Sequence, residues 1–492
     1  MASTGEEQTF AGLDAAANRL SQVLYAAGLR PGDHVAICIE NHPRYFEVLW
    51  GCHYAGLVYT ACSSRLTSSE LCYILNDCAA RVFITSRYKA DRAAEIVADT
   101  LSVELRLMLD GAIDGYESYE AAVAGQPAVP LAVRIAGADM LYSSGTTGRP
   151  KGVTATFEPR SLLETPVSVT GLLGLLFGGS SDSVYLSPAP LYHAAPLRFS
   201  MSVHALGGTV IVMEHFDPEE YLALIERHRA NISQVVPTMF VRLVKLPAEV
   251  RARYDVNSMK CIIHAAAPCP IPVKKAIIEW FGPIVHEYYA GTEGNGFVYC
   301  NSEMWLAHEG TVGTAIACTV HICGDDGEEL ARYESGAVFF EGGAEFEYHN
   351  DAEKTAGSRH PKGWSTLGDV GYLDDDDFLY LTDRKAYTES KTMRTSRPFQ
   401  AMASKSARMD TPPNSFVPLK FQTPNNAAKH KPAEAPASPF FMPSVIQRGI
   451  DGSANISRHA GGTSRRIPAP LGVSYLINSS SHSPLRFFFS RG

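Results

Sequence analysis

Apolar residues recur at Leu13, Ala17, Leu20, Leu24 and Ala27, spacings that lay one apolar stripe along a helix, closed by Gly28 and Pro31. HVAICI, residues 34–39, is an unbroken apolar run of strand length. A second helical spacing follows at Phe46, Leu49 and Trp50. Thr67 and Glu70 then stand three apart ahead of Leu71, Ile74 and Leu75, the signature of a capping box. RVFIT, 81–85, reads as another strand. The strand–helix rhythm returns at 208–213, 218–229 and 233–237, and again at 261–265, 272–281 and 283–289. Apolar strands without polar alternation are buried on both faces, so this rhythm predicts mainly parallel sheets covered by helices. After Gly313 the runs TVHIC (319–323), AVFFEGG (337–343) and FLYLT (378–382) are separated by Gly and Asp turns, with no helices expected between them. They predict a small, mainly antiparallel β unit. The fold class is therefore α/β: a large N-terminal domain of helix-covered sheets plus a small β-barrel-like subdomain over about 314–386. No repeat of 20–50 residues is present.

From residue 387 the periodicity stops. The last 106 residues hold 12 Pro and 16 Ser, too little apolar area to offset chain entropy, so a largely disordered tail is expected over 387–492. Charge changes sign at the same point. The tail carries 14 Lys+Arg against 4 Asp+Glu, whereas residues 1–386 carry 29 against 48. An acidic body argues against a dedicated nucleic-acid binder. The apolar stretch at 167–177 is broken by Gly and Thr and falls short of the ~20 residues of a membrane span. Ten cysteines, none beyond Cys323, form no Cys-x-x-Cys pair and no zinc-finger spacing. The start, MASTGEEQTF, has acids and no apolar signal region, and the end, Ser490-Arg491-Gly492, is not a peroxisomal address. The expected location is cytoplasmic.

The densest chemical signal is MLYSSGTTGRPKGV, 140–153. An apolar strand runs into Ser143, Ser144, Thr146 and Thr147, whose hydroxyls can donate to phosphate oxygens. Gly145, Gly148 and Gly152 let backbone amides approach an anion without a Cβ in the way, and Lys151 adds a positive charge. It is not a Walker A loop, because Pro150 stands where that loop has its second Gly.

This string resembles the adenylate-forming (AMP-binding) superfamily: acyl-CoA synthetases, 4-coumarate-CoA ligase-like enzymes, luciferases and the adenylation domains of peptide synthetases. The resemblance covers about residues 8–386 and implies activation of a carboxylate by ATP and Mg²⁺, then acyl transfer to coenzyme A. Further segments match in family order. SPAPLYHAAPL (187–197) resembles the segment whose histidine lies between acyl pocket and nucleotide, here His193. HAAAPCP (264–270) resembles the small-residue segment beneath adenine, here Ala265 and Ala266. In HEYYAGTEG (286–294) the resemblance gives Tyr289 to adenine, Thr292 to phosphate and Glu293 to the metal, with Thr146 as a second metal contact. A hard carboxylate oxygen suits a cation that bridges phosphates. Ala290 departs mildly from the family's usual Gly. In WSTLGDVGYLDDDDFLYLTDRK (364–385) it gives Asp369 to the ribose hydroxyls and Arg384 to ribose or α-phosphate, while the acidic run 374–377 reads as a solvated turn. His193 among apolar neighbours, with no identifiable amino-acid-anchoring Asp, favours a fatty or aryl acid.

After Lys385 the pattern breaks. The family continues with a Gly-Gly-x-Asn stretch and a small domain bearing a Pro-x-x-x-x-Gly-Lys loop, whose lysine stabilises charge during adenylation. This chain reads AYTESKTMRTSRPFQ and contains neither element downstream. A length kept while pattern and charge are lost suggests a shifted reading frame or a wrongly joined exon; a genuine basic tail for nucleic acid or membrane is the rival. The expectation is an acid-CoA ligase impaired by loss of that lysine. Adenylation feeding a carrier protein and a non-catalytic nucleotide- or acyl-binding remnant stand as alternatives.

Overall fold

The computed structural model describes residues 1–143, 149–154, 157–167 and 169–384. Residues 144–148, with the calls on Ser144, Gly145, Thr146, Thr147 and Gly148, and the tail 387–492 lie outside them.

The amino-terminal stripe forms the helix Phe10–Ala26, started by the Thr9 hydroxyl, which accepts from the Gly12 amide. Leu13, Ala17, Leu20 and Leu24 are buried along it. It packs on the helix Tyr45–Tyr54 so closely that a Cβ on Gly51 would lie 2.6 Å from Leu20 Cδ2. Thr67 and Glu70 make both bonds of the capping box at the start of Ser68–Asp77.

Two parallel sheets form the body. The first has six strands, running edge to edge Glu117–Ser118, Leu105–Leu109, Val82–Ser86, His34–Cys38, Val58–Ala61 and Ala138–Asp139. The second has seven. Thr209–Val212, Val184–Ser187, Ile232–Val235, Cys261–His264 and Val285–Tyr289 are parallel, and Val298–Cys300 and Thr314–Ala315 extend the sheet antiparallel. Val82–Ser86, Ile232–Val235 and Cys261–His264 are buried at every position, which is why their sequences show no polar alternation. In open sheets of this type ligands bind beyond the carboxyl ends of the strands. Residues 188–193, 265–270 and 290–294 leave those ends of the second sheet.

Thr319–Cys323, Gly336–Glu341, Asp369–Leu373 and Leu379–Arg384 form a four-stranded antiparallel sheet, as the late apolar runs predict. The expectation of no helix in this region is corrected by Ala352–Gly357, capped by Asp351, whose carboxylate accepts from the Lys354 amide at 2.9 Å. Six residues are too few to show a helical stripe, so only the cap and the Ala-Glu-Lys composition mark it. Glu347–Tyr348, from the same stretch, joins a fourth, three-stranded sheet with Lys151–Thr154 and Leu141–Ser143. Among the described residues no helix is long and apolar enough to cross a membrane.

Candidate active site

The strands flanking the hydroxyl-rich loop form an antiparallel hairpin in which Ser143 faces Lys151 and Tyr142 faces Gly152. A Cβ on Gly152 would stand 3.1 Å from both His349 Cβ and Tyr142 Cζ, so a bulkier residue would force the hairpin off its neighbours. Tyr142 donates its phenol to Asp77 Oδ2 at 2.6 Å, tying the hairpin to the end of Ser68–Asp77. Burial and then that bond hold the phenol well above the ordinary tyrosine value. Lys151 Nζ lies 2.7 Å from Asp351 Oδ2. That contact, more than any other, raises the lysine pKa and lowers that of Asp351. The lysine assigned to phosphate is thus placed by an acid that the sequence reading did not single out.

Tyr289 ends the fifth parallel strand, and its phenol donates to Asp369 Oδ2 at 2.7 Å. Asp369 is buried and opens the strand that pairs with Leu379–Arg384, where it sits opposite the Arg384 backbone. Three of the sequence candidates are therefore neighbours. Beyond Tyr289 the chain turns through Gly291, Thr292 and Glu293. Glu293 Oε1 accepts from the Tyr348 hydroxyl at 2.9 Å. Its Oε2 lies where a Cβ on Gly291 would be 2.5 Å away, so the bare glycine leaves room for the carboxylate.

The strands Cys261–His264 and Val285–Tyr289 also carry a buried charged cluster. Lys274 is fully buried, hydrogen-bonds Glu287 and stands 4.7 Å from the Trp305 ring centroid. Burial pushes the Glu287 carboxyl up, and the Lys274 ammonium pulls it back only in part. His264 Nε2 is 3.5 Å from the same carboxylate. Burial, then the Lys274 charge, keeps that imidazole far below its ordinary value, so it is neutral.

His193 precedes the helix Ala194–Ala205, exposed to solvent on one side and against the Tyr192 ring at 4.5 Å. Surrounding protein, then the Arg65 charge, lowers its pKa, which makes it neutral at pH 7. Arg198 on this helix reaches Asp139 Oδ2 at 2.8 Å, linking the helix to Ala138–Asp139, the edge strand of the first sheet. Ala265 is buried, whereas Ala266 is exposed with φ of 75°, the left-handed region that favours glycine. An L-residue there costs about 1–2 kcal/mol, and glycine loses part of the gain to unfolded-state entropy. Ala266→Gly is expected to raise stability by roughly 0.5–1 kcal/mol, read as an upward shift of the denaturant midpoint; a lower midpoint would disprove the strain.

The sequence profile of AMP-binding enzymes matches residues 1–346. The chain belongs to the AMP-binding enzyme family. Feruloyl-CoA synthase from an Amycolatopsis species is 31% identical over 77% of this chain and 74% of its own length. The long-chain-fatty-acid–CoA ligase FadD13 of Mycobacterium tuberculosis is 31% identical over 78% of this chain and 74% of its own. Among solved structures, the inhibitor-bound N-terminal domain of FACL13 from the same organism superposes with a TM-score of 0.68 at 28% identity, covering 78% of this chain and 94% of that domain. AMP-forming acyl- and aryl-CoA ligases are therefore this family member's relatives, and enzymes of the family use ATP and CoA.

The AMP-binding fold gathers the sequence candidates unevenly. Tyr289, Asp369 and the backbone of Arg384 come together, and Glu293 meets the hairpin sheet through Tyr348. His193 follows Val184–Ser187, and Ala265 and Ala266 follow Cys261–His264, two strands of the second sheet with Ile232–Val235 between them. Thr292 is half-buried beside Glu293. Tyr348, Asp351 and Asp77 carry no local motif that would have singled them out. The acidic run 374–377 needs correction. Asp374 is buried and accepts from the Phe378 and Asp376 amides, His308 and Tyr380. Burial disfavours its charge, yet the Phe378 amide, His308, Tyr380 and the Asp376 amide together hold its pKa below the ordinary value. It builds the turn, while Asp375, Asp376 and Asp377 face solvent. No group of three or more His, Cys, Asp or Glu able to hold a metal occurs among the described residues. A single oriented carboxylate fits Mg²⁺, which takes one or two carboxylates and completes its shell with water and phosphate oxygens.

Proposed function

We propose that this chain binds ATP with Mg²⁺ across the carboxyl ends of the second sheet and activates a fatty or aryl carboxylate as its adenylate, with coenzyme A as acyl acceptor. The observation that carries this reading is a pair of tyrosine links: Tyr348, paired with the hairpin strand, holds Glu293, and Tyr289, four residues before Glu293, holds Asp369. In it, Ser143 to Gly148 and Lys151 cradle the phosphates and Thr292 contacts them. Ala265 and Ala266 line the base and Tyr289 stacks on it. Asp369 accepts from the ribose hydroxyls, with Arg384 near ribose or α-phosphate. Glu293 and Thr146 would hold Mg²⁺, which neutralises phosphate charge as pyrophosphate leaves. Neutral His193 sits between nucleotide and acid.

Residues 387–492 lack the Gly-Gly-x-Asn and Pro-x-x-x-x-Gly-Lys elements. One preorganised charge or donor is worth ~10²–10³ in rate, so adenylation is expected to be slower than in relatives by at least that factor. Thioester formation should be slower still, since the small domain completes the thiol site. The same absence favours a second reading, a nucleotide-binding remnant without turnover. Calorimetric titration with ATP and Mg²⁺ tests binding. Pyrophosphate exchange with a panel of carboxylates tests the first half-reaction, and CoA-dependent AMP release the second. Binding without exchange would leave the remnant, and no binding would overturn both readings. Translating the coding DNA beyond codon 386 in the other two frames tests the tail. Recovery of both missing elements in one of them is expected, and their absence from both frames would make the tail genuine.

A further inference from the structure

Tyr348 meets two parts of the site at once. Its backbone pairs with Val153 on the returning strand of the phosphate-loop hairpin, and the next amide, of His349, donates to the Gly152 carbonyl at 2.8 Å. Its hydroxyl donates to Glu293 Oε1 at 2.9 Å. The ring is 7% exposed, with the Phe346 ring edge-on at 5.4 Å and Lys354 Nζ 3.9 Å from its centroid. A phenol confined in this way gives up little entropy in holding a carboxylate. Glu293 by contrast lies on a half-buried turn, where its Oε1 takes the Tyr348 bond and its Oε2 lies in the space that a Cβ on Gly291 would crowd. The rotamer of the carboxylate is therefore set from the hairpin side.

We propose that Tyr348 is a positioning residue for the divalent cation: it fixes Glu293 relative to the phosphate hairpin, so that cation and phosphate are received in one geometry. This rests on the assignment of Glu293 to Mg²⁺. Tyr348 itself touches neither cation nor nucleotide. It acts through the carboxylate, and its contribution exists only while Glu293 is in place.

Calorimetric titration of the full chain with ATP at stepped Mg²⁺ concentrations reads this out. Tyr348→Phe removes one oxygen and keeps the ring packing. It is expected to raise the Mg²⁺ concentration for half-maximal tightening of ATP about 5–10-fold, leaving metal-free ATP affinity unchanged. Glu293→Gln should blunt the Mg²⁺ response more strongly, and Tyr348→Phe added to it should change nothing further. An unshifted Mg²⁺ midpoint in Tyr348→Phe overturns the proposal. So does an equal shift in the Glu293→Gln background, which would mark a packing effect. A wild-type protein indifferent to Mg²⁺, or a Glu293→Gln protein identical to it, overturns the Glu293 assignment and the proposal together. Wild type and Glu293→Gln test the assignment, and Tyr348→Phe alone tests the arm.

Discussion

Replacing Lys274 by methionine is expected to cost about 3–5 kcal/mol of stability at pH 7.5, because it strands the Glu287 carboxylate in a dry interior. A loss of that size lowers the melting temperature by on the order of 10 °C. His264, 3.5 Å away and itself fully buried, takes over only by ionising in the same interior. The loss depends on pH, with a definite sign. Burial already raises the folded pKa of Glu287 above its unfolded value, so its charge weighs against folding as pH rises from the unfolded value through the folded one. Without Lys274 the folded value rises further. The deficit should be greatest at neutral pH and shrink as pH is lowered toward about 5. Lys274→Met with Glu287→Met, which removes both charges, should recover most of the stability. Denaturant midpoints from pH 5 to 8 decide it, and an unchanged midpoint or a pH-independent loss would contradict the burial argument.

Asp369→Ala should weaken ATP binding about 10²–10⁴-fold, since hydrogen bonds to a charged group are worth about 1.5–3 kcal/mol each and ribose offers two hydroxyls. The Tyr289 phenol, 2.7 Å from the carboxylate, loses its acceptor as well. A readout specific to ribose separates that recognition from general damage. Wild type should bind ATP much more tightly than 2′,3′-dideoxy-ATP, and Asp369→Ala should bind the two alike. If the variant still discriminates between them, another residue holds the ribose. The same substitution should leave free pyrophosphate binding nearly unchanged, because the strands flanking the hydroxyl-rich string belong to a different sheet from Asp369.

Local patterns carried much of this molecule. The Thr67–Glu70 box, the stripe on Phe10–Ala26 and the apolar runs at His34–Cys38 and Cys261–His264 are short-range features, and the helices and strands form where those features stand. The apolar run ahead of the hydroxyl-rich string stands as the strand Leu141–Ser143, whereas its antiparallel partner Lys151–Thr154 was not foreseen. Reading failed where a segment was too short for its period, as in Ala352–Gly357. It failed again where a whole acidic run was read as one solvated turn, as with Asp374, which four donors hold inside that turn.

The sequence by itself determined where most helices and strands stand and which residues are candidates for phosphate, ribose and cation, because period, caps and motif chemistry act over a few residues. Only the tertiary structure decided who holds those groups. Tyr348 reaches Glu293 across 55 residues, Tyr289 reaches Asp369 across 80, and Tyr142 reaches Asp77 across 65. Each pairing follows from strand order and register, which bring distant segments to one edge, and no periodicity along the chain encodes that choice.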